Sequence, residues 1–315
     1  MRGKKELTGR EIVQLARHPK RPRLHDYLNP GFGMIGDFVE LHGDRCSGDD
    51  GAIVGGFARF KGGGISEKVV VIGHEKGENY KDSFERHTGC AGPAGYRKAL
   101  RLMRAAEKFK LPVLTFIDTA GAYPDDKSEE KGIAQAIARN LMEMSRLRTP
   151  IISTVIGEGG SGGALGIGVA DRVLMMKNSY YSVITPEGCA AILYANEYER
   201  GETEEAERAK RLKRIDECAN SLKLRARDLL ELKLIDEIID EPEGGAQEDY
   251  ELAVKYVGES VGKNLREIGR YRIDALIKRR YDRIRGMGNY FREAARREIE
   301  RAEGARERLR KRRKI

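Results

Sequence analysis

Apolar residues fall along this chain in three rhythms. Short β-branched runs alternate with longer stretches whose apolar positions recur every three or four residues, and a third kind of segment is almost wholly charged. The first predicts buried strands, the second amphipathic helices, the third solvated helices. In chain order, residues 11–16 predict a short helix, and Pro19 and Pro22 an extended wrap after it. Residues 38–42 read as the end of a helix before the polar turn Gly43-Asp44-Arg45. Residues 52–60 and 68–74, joined by a glycine-rich turn, predict a hairpin. Pro93 is placed to open a helix that runs to Phe109. A strand at 111–118, a loop at 119–124 and one long helix at 129–148 follow. After the strand 150–156 comes a glycine tract, then a small apolar helix at 164–170, strands at 172–176 and 181–184, and a helix after Thr185-Pro186. Residues 196–218 are mostly Glu, Lys and Arg, the core resumes at 229–239, and everything after Asp249 is helical in pattern. Repeated strand, glycine-bearing loop and helix units indicate an α/β core with its chemistry at the carboxyl ends of the strands.

The densest feature is Gly157-Glu158-Gly159-Gly160-Ser161-Gly162-Gly163-Ala164-Leu165. Glycines let backbone N–H groups approach an anion without side-chain interference, and a helix start just beyond would aim further N–H groups at the same spot. The segment 159–163 also fits G-x-S-x-G, the nucleophile elbow of serine hydrolases. That reading needs a histidine after the serine, whereas all five histidines (His18, His25, His42, His74, His87) precede Ser161. Only a rearranged triad using His74 or His42 keeps it open. The plainest alternative is that the glycines permit close helix–strand packing.

Other candidates carry less. His87 and Cys90 are spaced for a metal but lack a second pair of ligands; Asp44, Asp49 and Asp50 fit acid–base roles or, more ordinarily, capping and ion pairs. Asp118-Thr119 ends a strand with no Walker-type Gly-Lys-Ser/Thr nearby, so ATP binding is not supported. Four well-separated cysteines suggest neither a zinc ribbon nor a disulfide framework. With no apolar export segment and no membrane span in the sequence, the expected location is cytoplasmic. Of the net charge of +9, a surplus of six comes from residues 292–315, which hold 11 Lys/Arg against 5 Glu. The body is therefore close to neutral, which argues against a nucleic-acid-binding core.

Seven ordered blocks resemble one family. They are Asp49 to Gly56, Val71-Ile72-Gly73-His74-Glu75-Lys76-Gly77, Gly95 to Met103, Thr115-Phe116-Ile117-Asp118-Thr119-Ala120-Gly121-Ala122-Tyr123-Pro124, Ala136 to Leu141, Val155 to Leu165, and Tyr181 to Leu193. They look like the carboxyltransferase alpha subunit of bacterial-type acetyl-CoA carboxylase, from about Glu11 to Ala246. The resemblance implies an α/β, crotonase-like (ClpP/crotonase) spiral of ββα units with helical N- and C-terminal extensions. It divides the chain into a basic N-terminal extension (1–37), a carboxyltransferase domain (38–248) with a charged insert near 197–217, and a helical, basic C-terminal extension (249–315).

The resemblance further implies an α2β2 assembly with a separate beta subunit. That assembly transfers a carboxyl group from carboxybiotin, borne on biotin carboxyl carrier protein, to acetyl-CoA. The product is malonyl-CoA, the start of fatty acid synthesis. ATP is used only by the biotin carboxylase component, and no metal is expected in this chain. Gly162 and Gly163 match the family's glycine pair whose N–H groups stabilise the ureido oxygen of biotin, while Gly121, Ala122, Tyr123, Gly159 and Gly160 are expected to line the biotin pocket. Because the biotin itself serves as base, no side chain need do so. Ala120 stands where the family usually has proline, Asp125 follows Pro124 in place of glycine, and residues 89–95 also depart from the usual pattern. Beside this reading stand a serine hydrolase using Ser161 and a non-catalytic binding protein that keeps the crotonase fold. The order of the histidines disfavours the first.

Overall fold

The period-two alternation of the apolar runs sorts their side chains onto the two faces of one sheet. In the computed structural model, which describes residues 7–195 and 204–288, the chain begins with helices α1 (Gly9–Ala16) and α2 (Leu24–Leu28). Strands β1 (Ile35–Glu40), β2 (Ile53–Gly62) and β3 (Ile65–His74) follow, then helices α3 (Tyr80–Glu85) and α4 (Pro93–Phe109). Next come β4 (Val113–Thr119), α5 (Asp126–Glu130), α6 (Ile133–Arg146), β5 (Ile151–Gly160) and α7 (Ser161–Leu165). The remainder runs β6 (Arg172–Met176), β7 (Tyr180–Ser182), α8 (Pro186–Leu193), α9 (Glu204–Ser221), α10 (Ala226–Glu231), β8 (Glu237–Ile239), α11 (Tyr250–Ile268) and α12 (Ile273–Gly286).

The strands form one sheet in the order β1-β2-β3-β4-β5-β6-β8, with β7 pairing the far end of β5. β1, β2 and β3 are antiparallel, and every pairing from β3 onward is parallel. Val70, Ile72, Val113, Ile117, Ile151 and Val155 point to one face, against α4, α6 and α10. Their neighbours Val69, Val71, Leu114, Phe116, Ile152 and Ile156 point to the other, against α2 and α11. Parallel strands buried on both faces read as continuous apolar runs for this reason. A third cluster joins Ile12, Val13 and Ala16 of α1 to Tyr180, Ala219 and Leu224.

The hairpin, the helix opened by Pro93 and the strand at 172–176 are found where the sequence placed them. Four expectations need correction. Residues 38–42 do not end a helix: 38–40 are the end of the edge strand β1, paired to β2 through Val39 and Glu40, and 41–42 follow it without regular structure. A bulge between Gly36 and Val39, with Asp37 at φ 52, breaks the period of two, and Phe38 and Leu41 then mimic a helical spacing. The long helix at 129–148 is two helices, split where Gly132 adopts φ 76. The glycine tract is not all loop, since β5 runs through Gly160. The apolar helix at 164–170 is shorter and starts earlier, as the five residues of α7.

The charged segment after Asn196 is helical from Glu204, and its far end is not solvated, because Cys218 and Ala219 are buried. Residues 196–203 of that segment, and the tail beyond Arg292, lie outside the described residues. Among the described residues no helix is long and apolar enough to cross a membrane.

Candidate active site at the carboxyl ends of two central strands

β4 and β5 end side by side, in parallel register from Val113↔Ile151 to Thr119↔Gly159. The glycines of β5 are there for close packing. A Cβ on Gly157 would meet the Asp118 carboxylate at 2.4 Å, one on Gly159 the Tyr181 ring at 2.8 Å, and one on Gly160 would collide with the Ala120 carbonyl oxygen. The packing alternative therefore describes Gly157, Gly159 and Gly160, all buried in the strand.

Gly162 and Gly163 differ. The chain turns from strand to helix at Ser161, which is exposed and held in the left-handed region at φ 51. Gly160 is the N-cap of α7, so the N–H groups of Gly162 and Gly163 fall in the first turn, where no carbonyl one turn back can accept them. Five residues add up to little helix dipole, so the turn offers the individual N–H groups and not a macrodipole. A Cβ on Gly162 would find nothing nearer than Ile137 Cδ1 at 3.7 Å, so one side of the turn is open. On the other side a Cβ on Gly163 would meet Gly121 C at 2.4 Å and Ala122 N at 2.5 Å. The structure thus brings Gly121, Ala122, Gly162 and Gly163 together.

The loop after β4 is fastened from below. Thr119 Oγ1 donates to the Gly121 carbonyl (2.7 Å) and accepts from the Gly121 N–H (3.2 Å), and the Tyr123 N–H donates to the Ala91 carbonyl at 3.0 Å. The Tyr123 ring stacks on His87, with centroids 3.8 Å apart and planes at 16°. His87, Thr88 and Gly89 form a turn with three successive positive φ values, so this support is itself conformationally costly. His87 and Cys90 are therefore packing partners of the loop. Among the described residues no group of three or more His, Cys, Asp or Glu is placed to hold a metal ion.

Beneath the turn lies a buried chain of charges. Lys76 Nζ sits 2.6 Å from Asp118 Oδ1 and 2.8 Å from Glu158 Oε1, and Asp118 Oδ1 also accepts the Glu158 N–H at 2.8 Å. Glu158 Oε2 accepts from Arg17 Nε and from the Tyr180 hydroxyl, each at 2.6 Å, and Arg17 continues to Glu187 at 2.7 Å. Burial alone would raise the Glu158 carboxyl, but Lys76 and Arg17 override it and hold the group down at about 2. Burial likewise works against the charge on Lys76, and Asp118 and Glu158 reverse that, so its ammonium is raised above its usual range. Six separate segments are tied together here: α1, the end of β3, β4, β5, β7 and the start of α8.

A serine hydrolase is not assembled. Burial, then the charge on Lys76, pushes His74 down to about 3, and neither ring nitrogen makes a hydrogen bond, although the carbonyls of Phe116 and Gly163 lie near the ring. His42 is paired with Asp49 at 3.0 Å. The aspartates are structural as well: Asp44 accepts from the N–H groups of Cys46, Ser47 and Gly48, Asp49 holds Lys98, and Asp50 accepts from Gly92 N at 2.6 Å.

A family model described as acetyl co-enzyme A carboxylase carboxyltransferase-like matches residues 3–288. The chain belongs to that family. Among relatives in the carboxyltransferase family, the acetyl-coenzyme A carboxylase carboxyl transferase subunit alpha of Thioalkalivibrio sulfidiphilus is 50% identical over 285 residues, covering 90% of this chain and 82% of its own. The subunit of the same name from Fusobacterium nucleatum is 49% identical over 287 residues, covering 91% and 85%. Solved structures of transcarboxylase 12S (TM-score 0.62, 18% identity) and of the beta subunit of Pseudomonas aeruginosa geranyl-CoA carboxylase (TM-score 0.57, 15% identity) show the fold to be the crotonase-like one. They match 84% and 86% of this chain but 45% of theirs, so it spans a little under half of those chains.

Lys76, Glu158 and Arg17 were not singled out from the sequence as site residues. The signal for the first two is a charged residue closing an apolar strand, His74-Glu75-Lys76 and Gly157-Glu158. Arg17 gave none, since its partners lie 141 and 170 positions away.

Proposed function

We propose that the chain is the carboxyltransferase alpha subunit of an acetyl-CoA carboxylase, working with a separate beta subunit. A biotin carrier protein would deliver the carboxyl group that the pair transfers to acetyl-CoA, giving malonyl-CoA. The observation that carries the reading is the turn at Gly162 and Gly163: two first-turn N–H groups, open on one face and walled by Gly121 and Ala122 on the other. Such a cradle, with no side chain in it, fits a small planar amide-like ring. Bound carboxybiotin would supply the carboxyl group and, once it has been given up, a negatively charged ureido oxygen.

The chain's own residues account for the rest. The N–H groups of Gly162 and Gly163 would hold such an oxygen, and donors placed where negative charge develops lower a barrier as an oxyanion hole does. Gly121, Ala122 and Tyr123 form the wall, with Tyr123 backed by His87. Gly159 and Gly160 take part by letting Tyr181 and Ala120 close against β5, which sets the width between wall and turn. Asp118, Lys76 and Glu158 hold the two strand ends in register.

The test is reconstitution with a beta subunit and a biotinylated carrier, following carboxyl transfer. Gly163→Ala forces a methyl into the Gly121–Ala122 backbone and is expected to cost about 10²–10³-fold in turnover, as loss of one oxyanion donor does. Ser161→Ala is expected to keep its activity. Ester hydrolysis by the isolated chain, abolished by S161A, would sink this reading in favour of a hydrolase.

A further inference from the structure

α7 is too short to hold its own direction. A five-residue helix is unstable by itself, and its glycines lose more conformational freedom on ordering than any other residue would. Two buried side chains from other helices reach it. Tyr96 of α4, fully buried, donates its hydroxyl to the Gly163 carbonyl at 3.1 Å. Its ring lies flush with Gly166, where a Cβ would be 2.4 Å from Tyr96 Cε1. Asn140 of α6, 1% exposed, donates through Nδ2 to the Gly166 carbonyl at 2.9 Å and to the Tyr96 carbonyl at 3.0 Å.

The wiring has a one-sided character. Among the described residues Asn140 Oδ1 is buried without a hydrogen-bond partner, so the amide acts here through its donors. An idle buried acceptor is destabilising, which a purely packing role would not require. Burial also pushes the Tyr96 hydroxyl well above its ordinary value, so it remains a donor at any working pH.

We propose that Tyr96 and Asn140 form a clamp that sets the direction of the Gly162 and Gly163 N–H groups, and are positioning residues for carboxyl transfer. The proposal rests on the reading of those glycines given above. Tyr96 fixes the first turn through the Gly163 carbonyl and the last through its ring; Asn140 locks Tyr96 to Gly166. With both in place the carbonyls of Gly163 and Gly166 are pinned, although Ser161 is strained and its neighbours are glycines.

Tyr27 supplies a matched comparison. It is the same residue type, equally buried, and its hydroxyl reaches Met176 Sδ at 3.1 Å in the core on the opposite face of the sheet. The experiment uses the assembled carboxyltransferase carrying Tyr96→Phe, Asn140→Leu, Tyr27→Phe or Gly162→Ala. Turnover, KM for acetyl-CoA and hydrogen–deuterium exchange of residues 157–168 are recorded for each. Y96F is expected to lower kcat by about 10²-fold with little change in KM, the effect of a misplaced but intact site. Exchange in 161–166 should quicken in both Y96F and N140L while β4 stays protected. Y27F should keep its kcat. If Y96F turns over as Y27F does, the clamp is wrong. G162A adds a methyl to the open side of the turn without moving backbone, so it separates the two claims. Full turnover in G162A would overturn the glycine reading itself, whereas an inactive G162A beside an active Y96F would sink the clamp alone.

Discussion

The two ends of the central strands are both closed by buried ion pairs, and the wiring differs. At the amino end, Arg280 of α12 is fully buried and spends every donor: two on the Asp171 carboxylate and three on the carbonyls of Met144, Leu147 and Thr149. Asp171 in turn accepts the Ile151 N–H at 2.8 Å. All five donors of that arginine are used within the cluster. At the carboxyl end, Lys76, Asp118, Glu158 and Arg17 form an open chain that continues to Glu187, with Arg17 about one-third exposed. A closed cluster can only hold the fold together. An open one transmits the placement of several segments to the residues above it, here Gly159 to Gly163.

If that contrast is right, damage at the two ends should separate stability from turnover. The largest effect is expected from Arg280→Met, which strands a buried carboxylate and three carbonyls. Breaking a buried pair from one side costs about 3–5 kcal/mol. Denaturant unfolding should show that loss, while the protein that remains folded keeps its turnover; a matching fall in kcat would erase the distinction. Lys76→Met removes the shared partner of two buried carboxylates, so it should cost stability as well and, unlike Arg280→Met, also slow the protein that remains folded. Asp118 would lose its ammonium partner while Glu158 kept Arg17 and Tyr180, and a small shift of the strand ends should lower kcat by about ten-fold.

The next effect is on acid stability. Glu158 is held at about 2, below its ordinary 4.5, so the folded protein binds fewer protons there than the unfolded one. Its contribution is complete above 4.5 and is lost as the pH falls from there toward 2. In K76M the carboxyl moves back up, and the acid-unfolding midpoint should rise with it; an unmoved midpoint would show that Lys76 is not what depresses it. The smallest effect belongs to Ser161→Ala, less than about threefold in turnover, because the proposed oxyanion hole uses backbone N–H groups and not the serine hydroxyl.

Much of this was legible in the sequence because it depends on local pattern. The hairpin, β4, β5 and α4 follow from apolar period and from Pro93, and the order of the histidines disfavoured a hydrolase before any geometry was known. The seven blocks pointed to the carboxyltransferase family that the relatives then showed. What escaped has physical reasons. The bulge at Asp37 disguised an edge strand as a helix. A glycine in a strand and a glycine in a turn look alike in sequence, so Gly157, Gly159 and Gly160 could not be told from Gly162 and Gly163 until their neighbours were in place. Arg17, Tyr96 and Asn140 act through contacts across the fold, and no spacing rule connects them to the turn.

The seating of α1 also sets a timetable. Gly9 N donates to Asn220 Oδ1 at 3.2 Å, and Arg10 pairs with Asp216. α1 is made some 200 residues before α9, so these two contacts close only after that stretch has been synthesised. At ribosomal speeds that is roughly 10–40 s. Throughout that interval its apolar face, Ile12, Val13 and Ala16, lacks Ala219 and Leu224 and has only Tyr180 of that cluster to meet, so a nascent chain paused before α9 should be more exposed to chaperones than the finished one.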